Sequence, residues 1–113
     1  MGSSGTGNFG DYKPTGTRCD ESIDTELEDV ATMPFYNPTK KLPTSGVAVR
    51  VRADPFDGRL VVEDVASGLA LGNLPTSYNY LILCIKKGYR YEGTVSAASP
   101  RPVPTIDVHL DSI

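Results

Sequence analysis

The chain has 113 residues and a formal net charge of −3, which corresponds to one domain of modest size. It contains no apolar run of about 18 residues, and its start lacks a basic and then apolar leader, so we expect neither a membrane span nor a secretory signal. These observations favour a cytoplasmic protein.

The chain opens with a segment rich in Gly, Ser and Thr, and residues 1–21 are predicted to be a flexible tail. Within it, Gly5-Thr-Gly-Asn-Phe-Gly10 has the spacing of a dinucleotide-binding loop. That loop requires a strand before it and a helix after it, and neither is indicated here. We therefore expect no cofactor, and interpret Phe9 and Tyr12 as anchors that contact a partner.

An acidic segment follows the tail. Thr25 and Glu28 have the spacing of a helical capping box, which predicts a helix that begins between Ser22 and Thr25 and ends at Thr32. This helix defines an acidic helical segment over residues 22–36. Three apolar residues would share its buried side: Ile23, Leu27 and Val30.

The remainder, residues 45–113, alternates between short apolar runs and turn residues, which indicates a small barrel. In the first run Val49 and Val51 are predicted to face inward, and Arg50 and Arg52 outward. Five strands are expected, at 47–52, 59–65, 69–71, 89–97 and 105–110. The expected fold is therefore mainly β with two short helices: a five-stranded barrel of the SH3 or OB kind, preceded by a helix and a tail.

The second predicted helix is inserted in the barrel at residues 76–87, between Pro75 and Gly88. Its apolar side carries Tyr78, Leu81, Ile82 and Ile85. Leu83 falls on the opposite side, which marks it as a candidate contact for a partner.

Neither cysteine is expected to be reactive. Cys19 lies at the end of the tail and Cys84 within the apolar helix. Two cysteines do not make a disulfide framework, so Cys84 is interpreted as a small buried apolar residue rather than a redox centre. Burial would also raise the pKa of its thiol, which argues against a nucleophilic pair with His109.

His109, Asp107 and Asp111 alternate along the last strand and so share one face. Such a trio is able to hold a divalent metal, but it is also typical of the solvent-facing side of an edge strand. We favour the second interpretation, and therefore expect no metal site and no enzymatic activity.

Aromatic and basic residues of the barrel suggest a different function. Tyrosines can stack on bases and basic side chains can neutralise phosphates. The candidate nucleic-acid-binding residues are Arg50, Arg52, Tyr78, Tyr80, Lys86, Lys87 and Arg90, with Tyr89 and Tyr91 as further stacking candidates.

The order Arg52-Ala-Asp-Pro-Phe-Asp57, a strand, Leu71-Gly-Asn-Leu-Pro75, a helix and Gly93-Thr-Val95 resembles the bacterial HIRAN-type small barrels over about half of the chain. The resemblance implies an OB-like module that grips single-stranded DNA ends. The positions that match are Arg52, Asp57, Gly72 and Pro75. The family's Glu-Pro ligand loop is Asp54-Pro-Phe here.

The opening Gly5-Thr-Gly-Asn-Phe-Gly-Asp-Tyr12, together with the Leu-Pro-x-x-Tyr-Asn-Tyr-Leu block, also resembles short bacterial proteins to which the resemblance attaches no activity.

Two hypotheses follow. In the first, the chain is a non-catalytic adaptor that straps onto a larger protein through its tail, with Phe9 and Tyr12, and through its acidic helix, with Leu83 as a further candidate contact, in a bacterial defence or nucleic-acid-processing assembly. In the second, the barrel binds single-stranded nucleic acid.

Overall fold

The structure is a computed structural model, and it describes residues 18–113. The candidate anchors Phe9 and Tyr12 and the predicted flexibility of the tail up to residue 17 lie outside the described residues.

Six antiparallel strands make a single sheet: β1 Ile23–Glu26, β2 Ala48–Val51, β3 Val61–Asp64, β4 Ala70–Asn73, β5 Tyr91–Ser99 and β6 Thr105–Ser112. Their order across the sheet is β1-β6-β5-β2-β3-β4. The sheet curls into a half-barrel because the chain beyond β1 meets β4, where Glu28 and Asn73 exchange two backbone hydrogen bonds of 2.8 and 2.9 Å. This bridge joins the two edges of the sheet at one end.

The mainly-β class is confirmed. The predicted five-stranded barrel is wrong in detail, because the sheet has six strands, with β1 as the additional one, and it curls into a half-barrel. The alternation predicted for β2 is present, since Val49 and Val51 are buried and Arg50 lies opposite Glu63 on the outer face. A continuous apolar core fills the concave side of the sheet. Its largest fully buried side chains are Tyr91, Leu60, Leu71, Leu74, Leu81, Ile106 and Leu110.

The predicted acidic helix over 22–36 is wrong. Ile23–Glu26 form β1, which pairs with β6, and only Val30–Thr32 make a short 3₁₀ turn. The sequence Ile23-Asp-Thr-Glu-Leu27 satisfies a period of two as well as a helical period, and pairing with β6 decides between them. The three apolar residues assigned to the helix are still the buried ones: Ile23, Leu27 and Val30.

The helix predicted at 76–87 is present in two pieces. Thr76–Tyr78 form a 3₁₀ turn, and Leu81–Lys86 form α1, the one α-helix assigned within residues 23–113. Gly88 ends it with a φ of 108°, a left-handed backbone conformation that glycine adopts without strain. No helix among the described residues is long and apolar enough to cross a membrane.

The interpretation of the cysteines also needs correction. Cys84 is fully buried, as expected, but it forms a disulfide with Cys19, and the two Cα atoms lie 5.6 Å apart. The number of cysteines alone does not reveal this bond, which depends on their positions in space. The bond attaches the start of the described chain to the core side of α1.

The disulfide is expected to contribute about 4 kcal/mol to the free energy of unfolding, since it closes a separation of 65 residues in the unfolded chain. Urea denaturation of the oxidised and the reduced protein measures this difference on one sequence. The variant with both Cys19→Ala and Cys84→Ala is the control, because its stability must not respond to reductant. Equal stability of the oxidised and reduced wild type would contradict the bond.

Gly93 in β5 is required by close packing of the backbone. A Cβ atom at this position would lie 1.7 Å from the carbonyl oxygen of His109. We expect Gly93→Ala to destabilise the protein by about 3 kcal/mol, because the contact is with backbone that cannot move aside. The neighbouring exposed Thr94→Ala is the control and is expected to cost under about 1 kcal/mol in the same denaturation experiment. Similar losses for the two variants would refute the packing argument.

Candidate interaction surface

The solvent-facing side of α1 carries a mixture of apolar and basic side chains. Tyr80, Leu83 and Lys87 follow one another at intervals of three and four residues, and therefore lie along one side of the helix. Leu83 is 57% exposed, although it is a large apolar residue. Lys86 is exposed as well. The opposite side, with Leu81, Cys84 and Ile85, is buried in the core.

The disulfide brings the root of the tail to this helix. Arg18, next to Cys19, lies over the ring of Tyr80, with its guanidinium carbon 3.7 Å from the ring centroid. Such a contact between a cation and an aromatic face is favourable. The carbonyl oxygen of Cys19 accepts a hydrogen bond of 2.8 Å from the hydroxyl of buried Tyr91. We call Arg18, Tyr80, Leu83, Lys86 and Lys87 the strap surface.

The other tyrosines differ in accessibility. Tyr78 is half-buried, with its ring centroid 6.4 Å from that of Tyr80. Tyr89 is also half-buried. Tyr91 is only 1% exposed, and its burial raises the pKa of the hydroxyl to about 12. It is therefore a core residue with a satisfied hydroxyl and not a stacking platform.

Arg50 and Arg52 lie on the outer face of the sheet, where both contact Glu63. Their Nε atoms are each 2.5 Å from one of its carboxylate oxygens. Arg52 also donates to the carbonyl of Gly68 at 2.9 Å. The Glu63 side chain is 10% exposed, and hydrogen bonding to Arg52 is the main cause that lowers the pKa of its carboxyl, against the opposing effect of burial. The positive charge of these arginines is thus partly neutralised.

Arg90 lies between the candidate residues around α1 and the Arg50–Glu63–Arg52 cluster. Its Nη1 donates to the carbonyl oxygens of Ile85 at 3.2 Å and Tyr89 at 2.7 Å, which satisfies backbone acceptors at the end of α1. It also lines an open groove of about 440 Å³ with Arg50, Arg52, Glu63 and Glu92. The seven candidate nucleic-acid-binding residues therefore fall into one set around α1 and one set of arginines interleaved with carboxylates.

The imidazole of His109 lies between two carboxylates. Its Nδ1 is 2.7 Å from Asp24 in β1, and its Nε2 is 3.0 Å from Asp111. The hydroxyl of Ser22 also donates to Asp111. Asp107 does not contact the imidazole, and within residues 18–113 there is no group of three or more His, Cys, Asp or Glu side chains arranged to hold a metal. The contact between Asp24 and His109 was not predicted from the sequence, because the predicted helix over residues 22–36 does not place Asp24 in a strand beside β6.

This cluster shifts the pKa values of two groups in opposite directions. The hydrogen bond to Asp24 is the main cause that raises the pKa of His109. The hydrogen bond from Ser22 is the main cause that lowers the pKa of Asp111. The contribution of Asp111 to stability is therefore lost as the pH falls through its folded-state pKa. The contribution of His109 is lost as the pH rises through the folded-state pKa of the imidazole.

A second groove, of about 630 Å³, lies on the outer side of β3 and β4. Val61 and Ala70 line it, and Met33 and Phe56 stand at its sides. Phe56 is 75% exposed. This groove was not predicted from the sequence, because it forms from segments far apart in the chain.

Comparisons with protein-family models, with curated proteins and with solved structures find no match to this chain.

The contribution of the Arg50–Glu63–Arg52 cluster to stability is testable by substitution of Glu63. Glu63→Gln is expected to lower the stability at neutral pH by about 2 kcal/mol, because it removes a charged acceptor that two arginines share in a nearly buried position. Because the Glu63 pKa is lowered by folding, this contribution is lost as the pH falls through the folded-state value. Urea denaturation between about pH 7 and pH 3 measures both effects.

The control is Glu92→Gln, an exposed carboxylate in β5 that lies opposite Arg50 on its other side. It is expected to change stability by less than about 1 kcal/mol. Equal effects of the two substitutions would contradict a special role for Glu63.

Proposed function

We propose that this chain is a non-catalytic adaptor that binds a larger protein through the strap surface and the tail that enters beside it. The observation that supports the proposal is the Cys19–Cys84 disulfide. It places the root of the tail beside the helix that carries Leu83. The tail and Leu83, which the sequence marked separately as candidate contacts, are therefore attached to the same part of the domain. The root of the tail, at Arg18 and Cys19, is thereby attached to the helix that carries Leu83.

The composition of the strap surface indicates the chemistry of its partner. One large apolar side chain, Leu83, is exposed among three basic ones, at Arg18, Lys86 and Lys87. A complementary surface would offer an apolar pocket for the leucine and carboxylates at its rim, since charge complementarity speeds association and fixes orientation. We therefore infer an acidic protein surface as the partner.

Two observations support a non-catalytic role. The two cysteines of the chain are joined to each other, so neither supplies a thiolate. The single histidine of the chain has each ring nitrogen against a carboxylate on the outer sheet face. Within the described residues, the thiols are thus held in a structural bond, and the imidazole bridges β1 and β6.

Single-stranded nucleic acid is the second candidate ligand, and one observation favours it. Lys86 and Lys87 are exposed at the end of α1, where two phosphates could be contacted, and half-buried Tyr80 lies at the start of the same helix. The resemblance to HIRAN-type or OB-like barrels would extend the proposal to DNA ends. Against this, Arg52 is paired with Glu63, and a Cβ at Gly72 would lie 2.7 Å from Leu27 Cβ, so these two matching positions have structural roles.

The disulfide also bears on where the protein works. Disulfides persist in oxidising compartments and are rare in the cytoplasm, where thiols are kept reduced. We infer an oxidising location in place of the cytoplasmic one that the composition favoured. Thiol labelling of the denatured protein, taken directly from its native cells with free thiols blocked, tests this inference.

The adaptor proposal is tested by complex formation under non-reducing conditions. A photo-crosslinking residue is placed at Leu83, and the captured protein is then purified and titrated against the wild-type chain. Leu83→Asp, and separately a chain that lacks residues 1–17, are each expected to weaken this complex at least tenfold, about 1.4 kcal/mol. The matched control is Leu69→Asp, because Leu69 is also exposed, at 42%, but lies at the turn before β4.

Unchanged affinity for Leu83→Asp would overturn the adaptor proposal. A parallel titration with fluorescent single-stranded oligonucleotides at low and moderate salt tests the second candidate. Micromolar binding that weakens steeply with salt and is lost when Lys86→Ala and Lys87→Ala are combined would identify nucleic acid as the ligand instead.

A further inference from the structure

A second cluster of polar side chains, outside the strap surface, connects strand β1 to strand β6. β1 is an edge strand of four residues, and its neighbour in the sheet is β6. In the register of this pair Asp24 lies directly opposite His109. The imidazole therefore spans the two strands: it contacts Asp24 on β1 through Nδ1 and Asp111 on its own strand through Nε2. Ser22, just before β1, is bound to Asp111 as well.

The number of protons on the ring decides whether both contacts are attractive. An ionised carboxylate can only accept hydrogen bonds, whereas a neutral imidazole carries one N–H and one lone pair. Only the doubly protonated ring donates to Asp24 and Asp111 together. When it loses a proton, one nitrogen lone pair lies within 3.0 Å of a carboxylate oxygen, and that contact becomes repulsive.

The surrounding charges make the pairing of β1 with β6 more dependent on the charge of His109. The same outer face carries Asp24 and Glu26 from β1, Asp107 and Asp111 from β6, and Glu92 from β5, which lies opposite Asp111. Thr94 of β5, opposite His109, is uncharged, and Arg50 lies beyond Glu92 on β2. When His109 is neutral, β1 thus presents two carboxylates to a strand that presents two more, and like charges on facing strands are destabilising.

We propose that His109 is a pH-sensitive latch, which holds edge strand β1 on β6 while it is doubly protonated and loosens β1 when it loses a proton. Edge strands with few neighbours open locally at low cost, so a modest change in pairing energy alters how often β1 opens. The strand is fixed at both ends, by the Cys19–Cys84 disulfide before it and by the Glu28–Asn73 bridge after it. The latch therefore controls the segment between these anchors.

The sign follows from the proton count. Folding raises the pKa of His109, so the latch is fully engaged below the ordinary histidine pKa of about 6.5 and is lost as the pH rises through the folded-state value. The window is chemically simple. His109 is the sole histidine of the chain, and both cysteines are oxidised, so among the described residues no other side chain of ordinary pKa titrates there.

The test is hydrogen exchange read as protection factors, which correct for the intrinsic effect of pH on exchange, between about pH 6 and pH 9. The reporter is the amide of Leu27, which bonds to the carbonyl of Ile106 on β6 at 2.8 Å. We expect its protection factor to fall roughly two- to fivefold as His109 loses its proton, the range typical of exposed ion pairs. The amide of Val95, which bonds to Val47 in the middle of the sheet, is the internal control and must not change.

His109→Gln provides the matched variant, since its side chain does not titrate, and its Leu27 protection is expected to be independent of pH. The proton on the wild-type ring is followed in the same samples through its nuclear magnetic resonance shifts, so the test stands even if the variant folds poorly. The proposal is overturned if wild-type Leu27 protection stays constant while the ring titrates. It is equally overturned if His109→Gln shows the same fall.

Discussion

The covalent bond between Cys19 and Cys84 is the constraint on which the arrangement of this molecule depends. It fixes the point at which the tail enters, and from there β1 has to run along β6 and on to its bridge with β4. Because the bond lies fully inside the core, it also sets the orientation of α1, which leaves the apolar side chain of Leu83 facing solvent. The position of the tail root and the arrangement of the strap surface are thus consequences of one contact.

The outer face of the sheet is organised by charge in two opposite ways. On β2 and β3 two arginines share one carboxylate, Glu63, whereas on β1 and β6 two carboxylates share one imidazole, that of His109. The first arrangement keeps its cations at all ordinary pH values, because guanidinium groups do not lose their protons. The second depends on a group that titrates near neutrality. The same design, a central ion flanked by two opposite charges, therefore persists as the pH rises above neutrality at one side of the sheet and is lost there at the other.

The sequence allowed the β-rich class to be predicted, because local patterns determine it. Alternating valines in β2 and turn residues around Gly58 and Gly88 leave few other conformations. The segment Ile23-Asp-Thr-Glu-Leu27 was assigned to the wrong element because its apolar spacing fits two periods, and the deciding partner, β6, is more than 80 residues away. The buried residues were nevertheless correct, since burial of Ile23 and Leu27 follows from their chemistry in either conformation.

The candidate site was harder to predict, for the same reason. Leu83 could be identified from the helical pattern alone, but its proximity to the tail depends on the disulfide, and the pairing of Arg50 and Arg52 with Glu63 depends on the register between two strands. Contacts of this kind are set by long-range geometry and leave no local signal in the sequence.

The position of the disulfide has a mechanical consequence. If a bound partner pulls on the tail, the force enters the domain through Cys19 and passes across the sulfur atoms to α1 and the core. β1, which follows Cys19 in the chain, carries little of that load, so its hydrogen bonds to β6 are not peeled apart one at a time. A domain built in this way can transmit tension while its edge strand stays in place.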